Sequence, residues 1–168
     1  MSKQKMFLIG LVVYPLLFAA TTKRVIDVVE VQLEIEPKPI QPIEVEIDPI
    51  ELLVDAMIMV ESGGNDSAIG DRHLGSQYAV GALQIRPIMV KEVNRILKLK
   101  GSKHRYQLKD RFSRDKSIQM FLIWKEFHHK DSDFEAIARS WNGGTNGLKN
   151  PKTYNYWKKV ENQLAVLN

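Results

Sequence analysis

Apolar positions recur at helical spacing over the last two-thirds of this chain and follow quite different patterns before that. Five stretches carry the helical rhythm: 49–61, 88–99, 114–129, 133–142 and 154–165. The first is apolar nearly all round from Leu52 to Val60, which predicts a buried helix. Asp48-Pro49-Ile50-Glu51 has the form of a capping box with proline at the first helical position, and Gly63-Gly64 is a stop signal. Pro87 opens the second helix, and Ser132-Asp133-Phe134-Glu135 reads as a capping box for the fourth. The stretch 62–86 is rich in turn formers and has room for a small hairpin. Together these patterns predict a mainly α domain over residues 51–168.

The earlier part is of different material. Residues 6–22 carry no charge and follow Lys3 and Lys5, the pattern of a signal peptide or a membrane anchor. Phe18-Ala19-Ala20 lacks a small residue three before the expected cut, which favours retention as an apolar helix. Lys23 and Arg24 put positive charge on both flanks, so orientation stays open. Residues 29–36 alternate strictly, as a strand would, and Pro37, Pro39, Pro42 and Pro49 then break any regular element. We read 23–50 as an extended, acidic, Pro-rich linker. A tract of roughly 14 residues of this kind could hold a domain about 40 Å from a membrane. The alternating segment could instead pair with the sheet edge of a partner.

Glu61 is the residue that most needs a chemical explanation. It falls in the last turn of the buried first helix, where the helix dipole and desolvation both disfavour a carboxylate. Both raise its pKa, as a general acid working near neutral pH requires. Taken alone, Glu61 could equally be a helix-end carboxylate leaning into solvent.

Four blocks decide between those readings. Glu61-Ser62 and Asn65 come first, then Gly81-Ala82-Leu83-Gln84-Ile85, then Ala138-Arg139-Ser140-Trp141-Asn142-Gly143-Gly144, and last Thr153-Tyr154-Asn155-Tyr156-Trp157-Lys158-Lys159-Val160. In this order they resemble the lysozyme-like lytic transglycosylases of the SLT type, over about residues 51–162. Each block is weak alone, and the ordered set is specific. The resemblance implies a lysozyme-like domain in which Glu61 is the essential acid. It implies that Ser62, Gly81 and Gln84 belong to blocks lining the sugar groove, that Asn142 faces the scissile region, and that Tyr156 hydrogen-bonds near the catalytic carboxyl group. The chain departs from the family at Ala82-Leu83, at Trp141 in place of the usual tyrosine, and at Asp66 in place of the usual proline.

Glycosidic cleavage needs a proton for the leaving oxygen and support for an oxocarbenium-like transition state. A hydrolase generally adds a second carboxylate. The resemblance implies that none is needed: the ionised glutamate takes a proton from the C6 hydroxyl of the substrate, which closes a 1,6-anhydro-muramic end. Asp66 and Asp71 are the candidate second carboxylates for true hydrolysis, and as ordinary turn residues they also have a bland explanation.

Other conspicuous residues have plain readings. His128-His129, adjacent on a helix, point in two directions and do not form a metal-binding i,i+4 pair, and His73 beside Asp71 is no stronger a ligand. No cofactor or metal is expected. Trp124 and Phe127 read as core, and Trp157 as groove or core. With no cysteine, the chain has neither a disulfide frame nor a lipoprotein anchor.

Charge divides with the organisation. Residues 1–50 hold five Lys/Arg against seven Asp/Glu, and residues 51–168 hold 19 against 13, a balance of +6. A basic domain suits an anionic polymer such as peptidoglycan. The cluster Lys98, Lys100, Lys103, His104, Arg105 reads as a solvated helix end, not a nucleic-acid surface. Two functions follow. One is an enzyme cutting the MurNAc–GlcNAc bond, exported or membrane-anchored and facing the wall, in the periplasm or on a virion in phage lysis. The other is a non-catalytic peptidoglycan-binding component of a virion or secretion machine. Glu61, Gln84, Asn142 and Tyr156 together favour the enzyme, because a binding module has no use for a buried acid.

Overall fold

The computed structural model describes residues 48–167. The apolar segment 1–22 and the linker up to residue 47 lie outside the described residues. The described part is mainly α. The first helix, α1, runs Pro49–Ser62 and starts where the helical pattern at 49–61 does. The reason is local: Pro49 occupies the first turn, the Asp48 carboxylate accepts from the Ile50 N–H at 2.9 Å, and Ile50 packs on the core. Gly63, at φ 61°, ends α1 in the left-handed region and its N–H closes onto Met59 O.

Two short antiparallel strands follow, β1 (Ile69–Gly70) and β2 (Ala79–Val80), with Ile69 opposite Val80. A 3₁₀ segment, Arg72–Gln77, joins them. This is the small hairpin expected between the first two helices. Helix α2 spans Pro87–Leu99, with Pro87 in its first turn. A 3₁₀ turn at Leu108–Phe112 leads into α3, Arg114–His128. Helix α4 is Phe134–Gly143, a 3₁₀ segment covers Gly144–Lys149, and α5 is Lys152–Leu167. The cap of α4 is Asp133, not Ser132 at the start of the expected box: the Asp133 carboxylate accepts from Ala136 N–H, while Ser132 Oγ bonds the His129 ring.

The core lies where α1 packs against α5, α4 against α5, and α2 against α3. Leu53, Met57 and Ile58 of α1 are fully buried, with Val93, Met120, Phe121, Ile137 and Val160. Trp141 stands edge-on to Phe121 and Trp124, with centroids 5.1 and 5.2 Å away, which ties α4 to α3. Arg111 anchors the hairpin from below. Its buried guanidinium donates to the carbonyls of Tyr78, Ile85 and Leu108. Gly81 fits only because it lacks a side chain: at φ 78°, a Cβ there would lie 1.8 Å from Arg111 O. Phe127 does not join the core. It is 41% exposed and carries the Arg95 guanidinium over its ring at 5.4 Å.

Candidate active site

A cleft of about 1190 Å³ has Glu61 on its wall. The C-terminal turn of α1 brings Glu61, the hairpin brings Asp71, Ala79 and Gln84, and the end of α4 brings Trp141 and Asn142. Glu61 is partly buried, and desolvation is the main influence on its titration. It raises the pKa to about 7 from the ordinary 4.5. Tyr156, buried on α5, donates its hydroxyl to Glu61 Oε1 at 2.8 Å, which lowers the pKa in part, while the nearby charge of Asp71 raises it. The same enclosure holds the Tyr156 phenol protonated, well above its ordinary range.

The two candidate second carboxylates part company. Asp66 is engaged away from the cleft: it pairs with Arg114 Nε at 2.9 Å, and Arg114 Nη2 also reaches Gly64 O at 2.5 Å. That pair pins the loop leaving α1. Asp71 lines the cleft with Glu61 and sits at φ 50°, a left-handed conformation uncommon for residues with a side chain.

The remaining sequence-derived residues divide in the same way. Gln84 lines the cleft, also in a left-handed conformation at φ 46°. Its amide nitrogen is spent on the hairpin, donating to Gly81 O at 2.9 Å and Ala68 O at 3.4 Å. Gly70 leaves space for the amide oxygen, because a Cβ there would lie 2.2 Å from Gln84 Oε1. Asn142 is exposed on the cleft rim. Gly81 is not brought to the cleft; it is buried against Arg111. Ser62 is not on the lining either, and its hydroxyl bonds back to Ile58 O at 3.2 Å within its own helix. Trp157 faces a separate shallow notch beside Ser132–Glu135.

Several cleft residues carried no motif. Ile88, Lys91, Glu92 and Arg95 of α2 line it, joined by Trp124 and His128 of α3. Glu92 Oε1 accepts from Arg95 Nη2 and His128 Nε2, both at 2.7 Å, and Oε2 accepts from Arg95 Nε at 2.7 Å. Arg95 first, and His128 after it, hold the Glu92 carboxyl down at about 2. The spacing of 88, 91, 92 and 95 on one helix face was the available signal. Among the described residues no group of three or more acidic, His or Cys side chains is arranged to hold a metal.

No family model matches this chain, and no characterised protein matches it. The site must therefore be read from its own chemistry.

Proposed function

We propose that the protein cleaves the MurNAc–GlcNAc bond of peptidoglycan as a lytic transglycosylase with a lysozyme-like domain. The observation that carries this reading is Glu61: a carboxyl group on a cleft wall, protonated up to about pH 7 and fixed by the Tyr156 hydroxyl. Because Tyr156 donates to Oε1, the acidic proton of neutral Glu61 belongs on Oε2. From there it passes to the glycosidic oxygen as the C1–O bond breaks. The resulting carboxylate then takes the proton of the C6 hydroxyl while that oxygen bonds to C1. Glu61 is left protonated again, and the sugar ends as a 1,6-anhydro ring. The four sequence blocks, in their order, support the same reading. The apolar segment 1–22 would hold the enzyme at a membrane or be cleaved on export, and the linker would give it reach toward the wall.

Asp71 favours a second reading. A carboxylate in the same cleft could act as base for a water molecule, giving a muramidase in place of a transglycosylase. The non-catalytic alternative gives no account of a desolvated acid held by a buried tyrosine. Glu61→Gln separates catalysis from binding. It is expected to keep the fold and co-sediment with sacculi, yet to lower cleavage by at least about 100-fold, the smallest usual contribution of a general acid. A Glu61→Gln protein that still solubilises sacculi would sink the assignment.

A further inference from the structure

The polar face of α2 is not simply a solvated face. Ile88, Lys91, Glu92 and Arg95 follow helical spacing and form one wall of the cleft that holds Glu61. The opposite face, Val90, Val93, Ile96 and Leu97, is buried. Helix α2 starts at the hairpin and runs outward, so Arg95 lies about 13 Å along the axis from Arg86, at 1.5 Å per residue. The α2 wall, with its cap residue, carries Arg86, Lys91 and Arg95 against the single carboxylate of Glu92, a cationic excess on that wall.

Arg95 is organised for recognition. Glu92 grips it through Nε and Nη2, and the Phe127 ring lies beneath it. His128 holds Glu92 from the other side. A guanidinium fixed in this way has already lost much of its rotamer freedom, and both Nη1 protons carry no intramolecular hydrogen bond. Half of the side chain remains open to solvent. Lys91, exposed one turn earlier, has no such commitment. A planar carboxylate suits the fork, and Lys91 adds a point charge beside it.

We propose that the Lys91–Arg95 end of the cleft binds a carboxylate of the stem peptide carried by the glycan strand, so that the protein selects peptide-bearing, charged strands. This rests on the peptidoglycan reading above and extends it to substrate choice. Glu92 and His128 are positioning residues that aim Arg95. Wall polymers could also present phosphate to such a site, and the test separates the two anions.

The full-length protein in mild detergent would be assayed on three sets of soluble glycan strands: native strands, strands whose peptide carboxylates have been converted to N-methylamides, and strands freed of phosphate polymers by hydrofluoric acid. The expected result is a KM about tenfold higher on amidated strands, the size of one lost charge-assisted hydrogen bond, with kcat little changed and no effect of phosphate removal. The Lys91→Ala/Arg95→Ala protein should have that higher KM on native strands and gain no further penalty from amidation. Lys100→Ala, exposed and outside the cleft, is the control and should leave both values unchanged. Equal KM on native and amidated strands would overturn the proposal. So would a preference lost on phosphate removal, or a double variant that still discriminates. Co-sedimentation with each strand set is measured in parallel. Failure to cleave any strand would overturn the enzymatic reading alone, and the binding preference would still decide this proposal.

Discussion

Glu61 is held between opposing influences that can be moved independently. Burial is the largest and raises its pKa, the Tyr156 hydroxyl lowers it, and the Asp71 charge raises it again. The alkaline limb of kcat/KM should therefore fall near pH 7 in the natural protein. Tyr156→Phe removes a hydrogen bond to the carboxylate and should shift that limb to higher pH. Asp71→Asn removes a repulsive charge and should shift it lower. The two shifts have opposite signs, and pH–rate profiles of the pair check them; shifts in the same direction would contradict this account of the site. Asp71→Asn also sorts the chemistries: a base for water would cost at least about 100-fold in rate, a mere neighbour only the shift.

The same group has a stability signature. In the unfolded chain Glu61 ionises near 4.5, whereas in the fold it keeps its proton to about 7. The unfolded state alone releases the proton between those values, so the fold loses stability as pH rises through that window. The loss is fully present above about pH 7 and amounts to about 3 kcal/mol. Glu61→Gln escapes it. The variant should match the natural protein at pH 4 and exceed its melting temperature at pH 8. Equal melting temperatures at pH 8 would mean that the carboxyl group is well hydrated.

At the scale of elements, the hairpin is clamped from below. Arg111 ties it through the carbonyls of Tyr78 and Ile85, and the backbone at Gly81 rests on Arg111 O. Gly81→Ala adds a methyl group 1.8 Å from that oxygen at a φ that disfavours it. Strain and clash together should cost about 3 kcal/mol or more, and activity should fall through displacement of Asp71 and Gln84. Chemical denaturation alongside the rate would check this; unchanged stability would mean that the clamp is loose. The helices themselves were legible because their signals are local: Asp48-Pro49, Gly63, Pro87 and Asp133 each act within one turn. The role of Gly81 was not legible, because its reason, the Arg111 carbonyl, lies thirty residues further on. Gln84 was found through its motif, yet its amide braces the hairpin, a bond that only the folded turn creates. Asp66 and Asp71 looked alike as turn residues, and only the placement of Arg114 separates them. Phe127 read as core from its composition alone, which could not tell that Arg95 would cover it.

For the whole molecule, one cleft gathers side chains from α1, the hairpin, α2, α3 and α4. Glu61, held by Tyr156, shares it with Trp141 and Asn142 of α4 and with the charged side chains of α2. A domain with a +6 balance over residues 51–168 would concentrate an anionic polymer at that surface. The measurement that tests the account most directly is digestion of purified sacculi by the full-length protein, with the muropeptides weighed by mass spectrometry. The account predicts 1,6-anhydro ends, lighter by one water than reducing ends, and their loss in Glu61→Gln. Reducing ends would contradict transglycosylation and turn attention to Asp71, and intact strands with binding preserved would contradict catalysis altogether.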